Sequence, residues 1–257
     1  MTTLYTLKPL TNLHVGSGDI NFDIIDNQVQ KDATTQLPVI HSSSLKGALR
    51  EHCSEKLEPK LLNYIFGSEE KESGNYSFFE AKMFSRPVRS NVEAYFHATS
   101  PSLIKEFLVL CDTLQIVLDE ALKQALETLS NTPVQPKQPV AFSTKQGIIL
   151  EDFEATSSQK QPEEILKEFF GEHIAVFHED DLKTLDLPVL ARNKLNNGTS
   201  KNLWYEEVVP AQTQFYFCFV HNKEVEEFEQ ILCEDIIQVG ANKSIGYGFS
   251  KLTKVSK

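Results

Sequence analysis

The sequence predicts an α+β fold with an antiparallel sheet, of the ferredoxin-like or RNA-recognition type. Short segments rich in β-branched and aromatic residues alternate with amphipathic helical segments. A strand, a helix and a glycine loop occur near both ends of the chain. The 257 residues contain no repeat with the period of about 20 to 50 residues that marks solenoids, and we expect one elaborated domain.

In the first half of the chain, local patterns predict two strands and several helical segments. Hydroxyls at 42–44 can accept hydrogen bonds from the free amides of a first helical turn, and Gly67 is a favourable residue after a helix. The predicted elements are a strand at 4–10, a helix from 42 to about 57, a short helix near 60–66, a strand at 76–84, and a helical region at 101–130 broken near Thr113.

The second half is predicted to begin with a loop, because residues 131–139 contain three prolines. Asn196-Asn197-Gly198 is a strong turn signal between two strand-like segments and predicts a hairpin. The predicted elements are a strand at 142–153, short helices at 163–170 and 180–186, a hairpin that pairs 187–192 with 203–209, a strand at 214–220, an amphipathic helix at 223–233, and a loop with a strand at 245–255.

The charge distribution is uneven along the chain. The formal net charge of -11 argues against a general nucleic-acid binder. However, residues 190–205 contain three basic residues and no acid, and residues 236–257 contain four lysines and no acid. Because screening limits electrostatic reach to about 8–10 Å near physiological salt, these local fields decide which contacts form.

Cysteine spacing and hydropathy predict the cellular compartment. The four cysteines form no C-x-x-C pair, so we expect reduced thiols and no zinc site. The chain has no run of about 18 apolar residues and no basic, apolar leader at its start. These patterns predict a cytoplasmic protein without a membrane partner.

Two glycine-rich segments carry the strongest chemical signal. One is His14-Val15-Gly16-Ser17-Gly18, and the other runs from Gly240 to Phe249 and includes Lys243. Glycines allow a ligand to approach the main chain closely, and main-chain amides with a nearby cation suit a phosphate. A G-x-G segment by itself is equally compatible with a simple hairpin turn.

Between the first glycine loop and the helix at 42 lies Asp26. A carboxylate here could act as a general base or hold a metal ion beside a ribose-phosphate chain, or it could only cap a turn. Lys46 and Arg50 are four residues apart and share one helix face, which together with the serines at 42–44 predicts a phosphate site. A solvated charged face is the alternative.

The ordered motifs resemble those of the RAMP superfamily, specifically the multi-copy backbone subunit of type III-B (Cmr) CRISPR effector complexes. The matching segments are 13–18, 25–26, 30–32, 37–40, 43–50, 66–67, 86–90, 99–101, 203–207 with Pro210, and 240–249. The chain departs from the family pattern at His41-Ser42, where Pro-Gly is usual, at Ala241, where a second glycine is usual, and at Lys31-Asp32, where Arg-Glu is usual.

The resemblance implies a modified ferredoxin-like, RRM-like palm in a single domain. It implies a finger-like insertion at about 101–139 and a thumb hairpin at about 187–209. Several copies would line up along a guide RNA with other subunits of the complex, and each would cut the complementary target RNA at a regular interval. The resemblance assigns the cutting to Asp26, with a divalent metal such as Mg²⁺ or Mn²⁺ as cofactor and Asp26 as metal ligand.

Further site residues follow from the same motifs. His14 and Glu206 are candidate catalytic residues, with Glu207 as a further acid, although packing or a solvated strand end explains each as readily. Asp19, Asp23 and Asp32 compete with Asp26. The candidate RNA-binding residues are Gly16, Ser17, Gly18, Ser43, Ser44, Lys46, Arg50, Arg86, Arg89, Gly240, Asn242, Lys243, Gly246 and Gly248.

Three other functions stay open from the sequence. The protein could be a structural guide-binding subunit whose carboxylate does no chemistry, or a ribonuclease that processes guide RNA without a metal. A small-molecule enzyme is the least favoured, because no P-loop, dinucleotide fingerprint or Ser/His/Asp signature occurs.

Overall fold

The structure is a computed structural model that describes residues 1–18, 24–68, 73–196 and 199–255, without the side chains of 195, 196 and 199. Its strands are β1 Thr2–Pro9, β2 Val39–Ile40, β3 Tyr76–Phe78, β4 Ala81–Arg89, β5 Tyr95–Thr99, β6 Val140–Ala141, β7 Ile148–Leu150, β8 Phe153–Ser157, β9 Ile174–Val176, β10 Val189–Asn196, β11 Thr199–Glu207, β12 Gln214–His221, β13 Ile236–Gln238 and β14 Phe249–Lys254. Its helices are α1 Ser42–Cys53, α2 Pro59–Phe66, α3 Pro101–Thr113, α4 Glu120–Ser130, α5 Glu164–Phe170, α6 Glu179–Thr184 and α7 Glu226–Glu234.

One large sheet organises the molecule, in the order β13-β14-β1-β12-β4-β5-β9-β6-β8-β7. β2 adds to β4, and β3 adds to β12. The pairs are antiparallel except β5 with β9 and β6 with β8. The first strand and β12 pair along six positions, from Thr2 opposite Val220 to Leu7 opposite Phe215. The α+β class with a mainly antiparallel sheet is therefore confirmed.

The central strands separate two hydrophobic cores. In β12, Phe215, Phe217 and Phe219 face one core, while Tyr216 and Cys218 face the other. This alternation follows from the two-residue period of a strand. Helices α1, α2 and α7 cover the first face, and α3, α4 and α5 cover the second. With both faces buried, the central strands are almost continuously apolar, which local alternation alone does not reveal.

Several predicted elements differ in their bounds. The helix at 42 ends at Cys53 rather than near 57, and the residue that caps it is His41, without a side-chain cap bond. The strand predicted at 76–84 is two strands that pair at different places along β12. The strand predicted at 142–153 is wrong, because β7 turns back into β8 at Glu151, where φ is 52°.

The predicted hairpin is present as β10 and β11, in a two-stranded sheet of its own. Val189 lies opposite Glu207, and Asn193 lies opposite Leu203. The predicted break in the helical region near Thr113 is also confirmed, since α3 ends there. The assignment of the hairpin as a thumb and of 101–139 as fingers stays a prediction. Within the described part of the chain, no helix has the length and apolarity needed to cross a membrane.

Candidate nucleic-acid interface and cleavage site

Four segments, two near the start of the chain, one in its last third and one near its end, meet in the structure. They are the N-terminal glycine loop at 13–18, the segment 24–31, the base of the β10–β11 hairpin, and the C-terminal glycine loop at 240–248. The amide of Asn27 donates to the carbonyl of Tyr205 (3.1 Å), and the amide of Glu207 donates to the carbonyl of Asn27 (2.9 Å). The amide of Ala241 donates to the carbonyl of His14 (2.8 Å). Main-chain bonds thus join the hairpin base to 24–31 and the two glycine loops to each other.

Asp26 presents its carboxylate to solvent at this meeting point. Its side chain is exposed, and Oδ2 accepts a hydrogen bond of 2.8 Å from the main-chain amide of Tyr205. The bond fixes the carboxylate against the base of the hairpin without removing it from water. Of the features at this site, an oriented and accessible carboxylate is the one best suited to act on a bound strand.

Glu206 is in the opposite situation. Its side chain is buried (4% exposed), and Oε1 accepts a hydrogen bond of 2.8 Å from Nδ2 of Asn242. Nε of Arg192 lies 3.2 Å from Oε2, as an ion pair whose angle does not make a hydrogen bond. The glutamate therefore joins the hairpin to the C-terminal loop. The structure supports a positioning role for Glu206, and its direct participation in catalysis stays a prediction.

Glu207 joins three elements, a role that the sequence did not predict for it. Oε1 receives a hydrogen bond of 2.7 Å from Nζ of Lys31, and Oε2 receives one of 3.1 Å from the amide of Val29. The carbonyl of Glu207 accepts a bond of 2.7 Å from Nδ1 of His14. A signal was available, since an acid beside the proposed hairpin and a lysine in the loop after Asp26 are suited to pair.

His14 lies at the centre of this arrangement. The ring is buried, and its bond to the carbonyl of Glu207 requires a proton on Nδ1. A Cβ atom on Gly16 would lie 3.3 Å from Nε2 of His14, so the glycine leaves room for the ring. The structure supports a positioning role for His14, and its direct participation in catalysis stays a prediction.

Asp32 has a structural role that Asp26 lacks. Its Oδ1 accepts hydrogen bonds from the amides of Thr34 (3.0 Å) and Thr35 (2.7 Å) and from the hydroxyl of Thr35 (3.0 Å). The hydrogen bond from the main-chain amide of Thr35 is the main cause that lowers the pKa of Asp32 below its ordinary value. Asp32 is thus a turn residue. The other two competitors, Asp19 and Asp23, lie outside the described residues.

The glycines of the C-terminal loop divide into two kinds. Gly240 has a φ of 82°, and a Cβ there would lie 2.4 Å from the carbonyl oxygen of His14. At Gly248, with a φ of 74°, a Cβ would lie 1.9 Å from the carbonyl oxygen of Val239. These two glycines therefore let the chain approach itself. The expectation that they face a ligand is corrected for both.

Gly246 and Gly18 differ from those two. Each has a positive φ, of 85° and 80°, and a Cβ at either position would meet no atom of the described residues within 4 Å. Beside Gly246, Lys243 is exposed, and its Nζ lies 3.6 Å from a carboxylate oxygen of the exposed Glu51. This part of the loop is free to receive a phosphate. Ser17 uses its amide to donate to the carbonyl of Gln28 (3.0 Å), which closes the N-terminal loop.

Comparison with known proteins identifies the fold family. The sequence profile of the RAMP superfamily matches residues 6–251. The chain belongs to the RAMP superfamily. It is 29% identical over 286 aligned residues to the CRISPR system Cmr endoribonuclease Cmr4 of Pyrococcus furiosus, covering 97% of this chain and 93% of that protein. It is also 27% identical over 171 residues to the CRISPR system CMR subunit Cmr4 of Saccharolobus solfataricus, covering 63% of this chain and 55% of that protein.

Solved structures agree with the RAMP assignment. A crystal structure of oligomeric Cmr4 from Pyrococcus furiosus superposes with a TM-score of 0.71 at 25% identity, over 99% of both chains. A chain in the cryo-EM structure of the type III-B Cmr-beta complex bound to cognate target RNA superposes with a TM-score of 0.81 at 22% identity, over 99% of this chain and 97% of that chain. At that identity the second match shows the fold alone. The resemblance to type III-B backbone subunits is confirmed.

In this RAMP protein, several side chains of helix α1 that the sequence offers for phosphate binding already contact other parts of the protein. Nη1 of Arg50 donates to the carbonyl of Gly67 (2.9 Å), and Nζ of Lys46 lies 5.7 Å from the centre of the Phe78 ring. Oγ of Ser44 accepts a bond of 3.0 Å from the side-chain amide of Gln30. Ser43, by contrast, is exposed.

The two arginines of the Arg-Pro-Val-Arg-Ser motif have separate roles in this RAMP domain. Arg86 is buried (5% exposed), and its guanidinium donates to the carbonyls of Leu185 and Asp186, each at 2.8 Å. Burial lowers the pKa of Arg86. The expectation that Arg86 contacts RNA is corrected, because a buried guanidinium cannot reach a phosphate. Arg89 is exposed and pairs with Glu151 (Nε to Oε2, 2.7 Å), so it can reach a partner.

The residues present fit a metal held jointly with substrate. Within the described residues, no group of three or more His, Cys, Asp or Glu side chains could hold a metal ion. Mg²⁺ is commonly bound through one or two carboxylates together with substrate phosphates and water. Asp26 is a single exposed carboxylate that satisfies the protein's part of such a set.

Proposed function

We propose that this protein is a guide-RNA-binding backbone subunit of a type III-B CRISPR complex that cleaves complementary target RNA at regular intervals. Membership of the RAMP superfamily and the similarity to the Cmr endoribonuclease of Pyrococcus furiosus support the proposal. Its partners are guide RNA, target RNA, further copies of itself and other subunits, in the cytoplasm. In this assignment the β10–β11 hairpin is the thumb, and residues 101–139 are the fingers, on a ferredoxin-like palm.

The observation that carries the proposal is the contrast at the base of the hairpin. Asp26 is exposed and oriented by one amide, whereas Glu206 and Glu207 are buried and already paired with cations and amides. A reactive carboxylate must reach the substrate and keep its lone pairs available. Asp26 is the one of these three that meets both requirements.

The chemistry follows from the structure of RNA. The 2′-oxygen of the nucleotide before the cut attacks the neighbouring phosphorus, and the bond to the 5′-oxygen breaks. The leaving 5′-oxygen takes a proton from water, so that the products carry a 2′,3′-cyclic phosphate and a 5′-hydroxyl. In this proposal Asp26 accepts the proton of the 2′-hydroxyl, directly or through a water molecule. Asp26 would hold a divalent metal ion such as Mg²⁺ or Mn²⁺, which would neutralise negative charge at the phosphate.

Orientation contributes as much as the proton transfer. In a stacked helix the 2′-oxygen does not lie in line with the bond that breaks, so a distorted strand is needed. Gly18, which is exposed, and Gly246, which is half-buried, lie in the two glycine loops, and together with the ammonium group of Lys243 they can hold the strand by its phosphates.

The test is cleavage by the reconstituted complex with wild-type protein, Asp26→Ala or Asp26→Asn. Asparagine can still accept the amide of Tyr205 but carries no charge. We expect both variants to assemble and bind guide RNA normally and to lose target cleavage, and EDTA to abolish cleavage by the wild type. Cleavage at the wild-type rate by assembled Asp26→Ala would identify a structural subunit instead. Cutting of repeat RNA by the isolated protein in EDTA would indicate guide processing.

A further inference from the structure

A cleft of about 390 Å³ opens on the face of the sheet that α4 and α5 cover. Residues of β1, β12 and β14 line one wall, and Leu122 of α4 with Ile165 and Phe169 of α5 forms an apolar wall. Sites for small molecules commonly measure about 300–1,000 Å³, so the cleft has the size of such a site. Helix α1 covers the opposite face of the sheet, so the cleft is separate from the serines and lysine of that helix.

Two lysines lie side by side in this cleft. Lys8 of β1 is directly opposite Lys251 of β14 in an antiparallel pair, so both side chains project to the same side. That side is the one on which Leu4 faces the second core. In the described part of the chain, neither ammonium group makes a hydrogen bond or an ion pair. Like charges directly opposite one another destabilise a sheet, and here no anion balances them.

Lys8 is the more deeply placed of the two lysines. It is half-buried, whereas Lys251 is exposed. Burial lowers the pKa of Lys8, and no carboxylate opposes that effect. The charge of Lys8 also acts on the interior, because burial and then the nearby ammonium of Lys8 lower the pKa of His97 to about 3. An anion in the cleft would offset the cost of holding this charge away from water.

The other lining groups suit the remaining parts of a nucleotide. The half-buried ring of Phe169 offers an apolar surface on which a base can pack. Nε2 of Gln214 donates to the carbonyl of Phe169 at 2.8 Å, and this bond fixes the end of α5 against β12. Next to the ring, Glu168 is exposed, and among the described residues it pairs with neither lysine. A carboxylate in this position can accept hydrogen bonds from ribose hydroxyls.

We propose that this cleft binds a ribonucleoside monophosphate, with the phosphate between Lys8 and Lys251, the ribose hydroxyls on Glu168 and the base against Phe169. The inference goes beyond the proposed function and does not depend on RNA cleavage. A phosphate monoester carries close to two negative charges at neutral pH and so balances both lysines. A long RNA strand fits less well, because its phosphates repeat along the chain whereas the lysine pair is followed by an apolar wall and a carboxylate.

The experiment is calorimetric titration of the full-length protein with adenosine and uridine monophosphates, beside the matching nucleosides and inorganic phosphate. We expect one mononucleotide to bind per chain, and the nucleosides and phosphate to bind more than about tenfold more weakly. Lys8→Gln should weaken mononucleotide binding about 10- to 150-fold, as the loss of a hydrogen bond between charged groups does. Lys251→Gln should weaken it about 2- to 5-fold, because Lys251 is exposed. Lys105→Gln, at an exposed lysine of α3, is the matched control.

A second measurement tests the ribose contact. In the wild type, the 2′,3′-dideoxy monophosphate should bind more weakly than the ribonucleotide. Glu168→Ala should weaken ribonucleotide binding to a similar extent, and the two changes together should cost no more than either alone. Losses that simply multiply would overturn the assignment of Glu168 to the ribose.

Stability measurements separate lost binding from misfolding. Because Lys8 has no partner in the described part of the chain, Lys8→Met should unfold in urea at the same concentration as the wild type or a higher one. The wild type should gain more stability than Lys8→Met when adenosine monophosphate is added. Equal gains for the two proteins would overturn the proposal.

Three further outcomes would also overturn it. They are the absence of saturable mononucleotide binding, inorganic phosphate that binds as tightly as the mononucleotides, and loss of guide-RNA affinity in Lys8→Gln without any mononucleotide binding by the wild type. The last result would assign the lysines to the path of the RNA. Reconstituted complexes with Lys8→Gln should cut target RNA normally, so a failure of this inference leaves the proposed function standing. Failure of the proposed function is judged separately, from cleavage by Asp26→Ala.

Discussion

Two regions of the site, separated by one or two residues along β11, differ in burial. In one the polar side chains are buried and paired, and in the other the side chains are exposed to solvent. The buried joint consists of His14, Glu206 and Glu207, whose side chains are each bonded to a distant segment. The open face consists of Asp26, Leu203 and Tyr205, whose side chains are exposed to solvent. The difference shows that residue type alone does not decide whether a side chain at this site is structural or acts on substrate. Carboxylates occur in both regions, and burial with neutralising partners distinguishes those that hold the structure from the one suited to act on substrate.

The largest expected effect is a difference in the free energy of unfolding between alanine variants at two glycines that have similar positive φ angles. Gly240 and Gly246 have φ of 82° and 85°, but only at Gly240 would a Cβ meet a main-chain oxygen, at 2.4 Å. Gly246→Ala should lower the free energy of unfolding by about 1–2 kcal/mol, the cost of a left-handed alanine. Gly240→Ala should lower it by roughly 2–5 kcal/mol, because overpacking is added.

Urea denaturation of the two glycine variants provides the measurement. Equal midpoints for Gly240→Ala and Gly246→Ala would contradict the division of the loop into a part that packs on the joint and a part that faces solvent. A large loss of guide affinity for Gly246→Ala with little loss of stability would support the assignment of Gly246 to the part of the loop that faces RNA.

The next effect concerns the carboxylates themselves. Glu207→Ala leaves Lys31 and the amide of Val29 without their acceptor, and we expect a loss of roughly 2–3 kcal/mol in the free energy of unfolding. This lies below the usual cost of breaking a buried pair because Lys31 is partly exposed. Asp26→Ala should change stability by less than about 0.5 kcal/mol, since it is a surface substitution.

Chemical denaturation of both variants, with Glu207→Gln as a control that keeps an acceptor oxygen, measures this contrast. Equal stability losses for Asp26→Ala and Glu207→Ala would remove the distinction between the two regions. The result would then place Asp26 among the residues that hold the fold.

The smallest effect tests how far the open face extends along α1. Gly47 is exposed within the helix, and a Cβ there would meet no atom within 4 Å in the part of the chain that the structure describes. Alanine is the better helix former, so Gly47→Ala should raise the free energy of unfolding by about 1 kcal/mol. If guide RNA lies against this helix, the added methyl group should weaken guide binding roughly tenfold, as a loss of about 1.4 kcal/mol would.

Fluorescence-based binding of labelled guide RNA, beside thermal unfolding of the same samples, measures both quantities for Gly47→Ala. Gln124→Ala on the surface of α4 is the control, and it should leave guide affinity unchanged. A Gly47→Ala protein that is more stable and binds guide as tightly as the wild type would restrict the open face to the hairpin and the loops.

Local patterns were sufficient for elements whose signals are short in range. The strand at 214–220, the break near Thr113 and the pairing of β10 with β11 each depend on residues within one segment, and each is present. The turn residues Asn197 and Gly198 lie outside the described residues. The order of motifs was likewise enough to recognise the RAMP superfamily. The assignment of the cutting to Asp26 stays a prediction. Side-chain chemistry and turn propensities depend on residues that are close together in the sequence, so they can be predicted from it directly.

The roles of Arg86, Glu206 and Glu207 were decided only by the tertiary structure. The sequence predicted an exposed cation at Arg86, but its guanidinium donates to main-chain carbonyls about a hundred residues away. The carboxylate of Glu207 accepts hydrogen bonds from Val29 and Lys31. The amino-acid sequence by itself determined which groups were available and where the chain could turn. Which charges are buried and which stay in water depends on contacts between segments nearly two hundred residues apart, because burial and pairing arise only when those segments pack together.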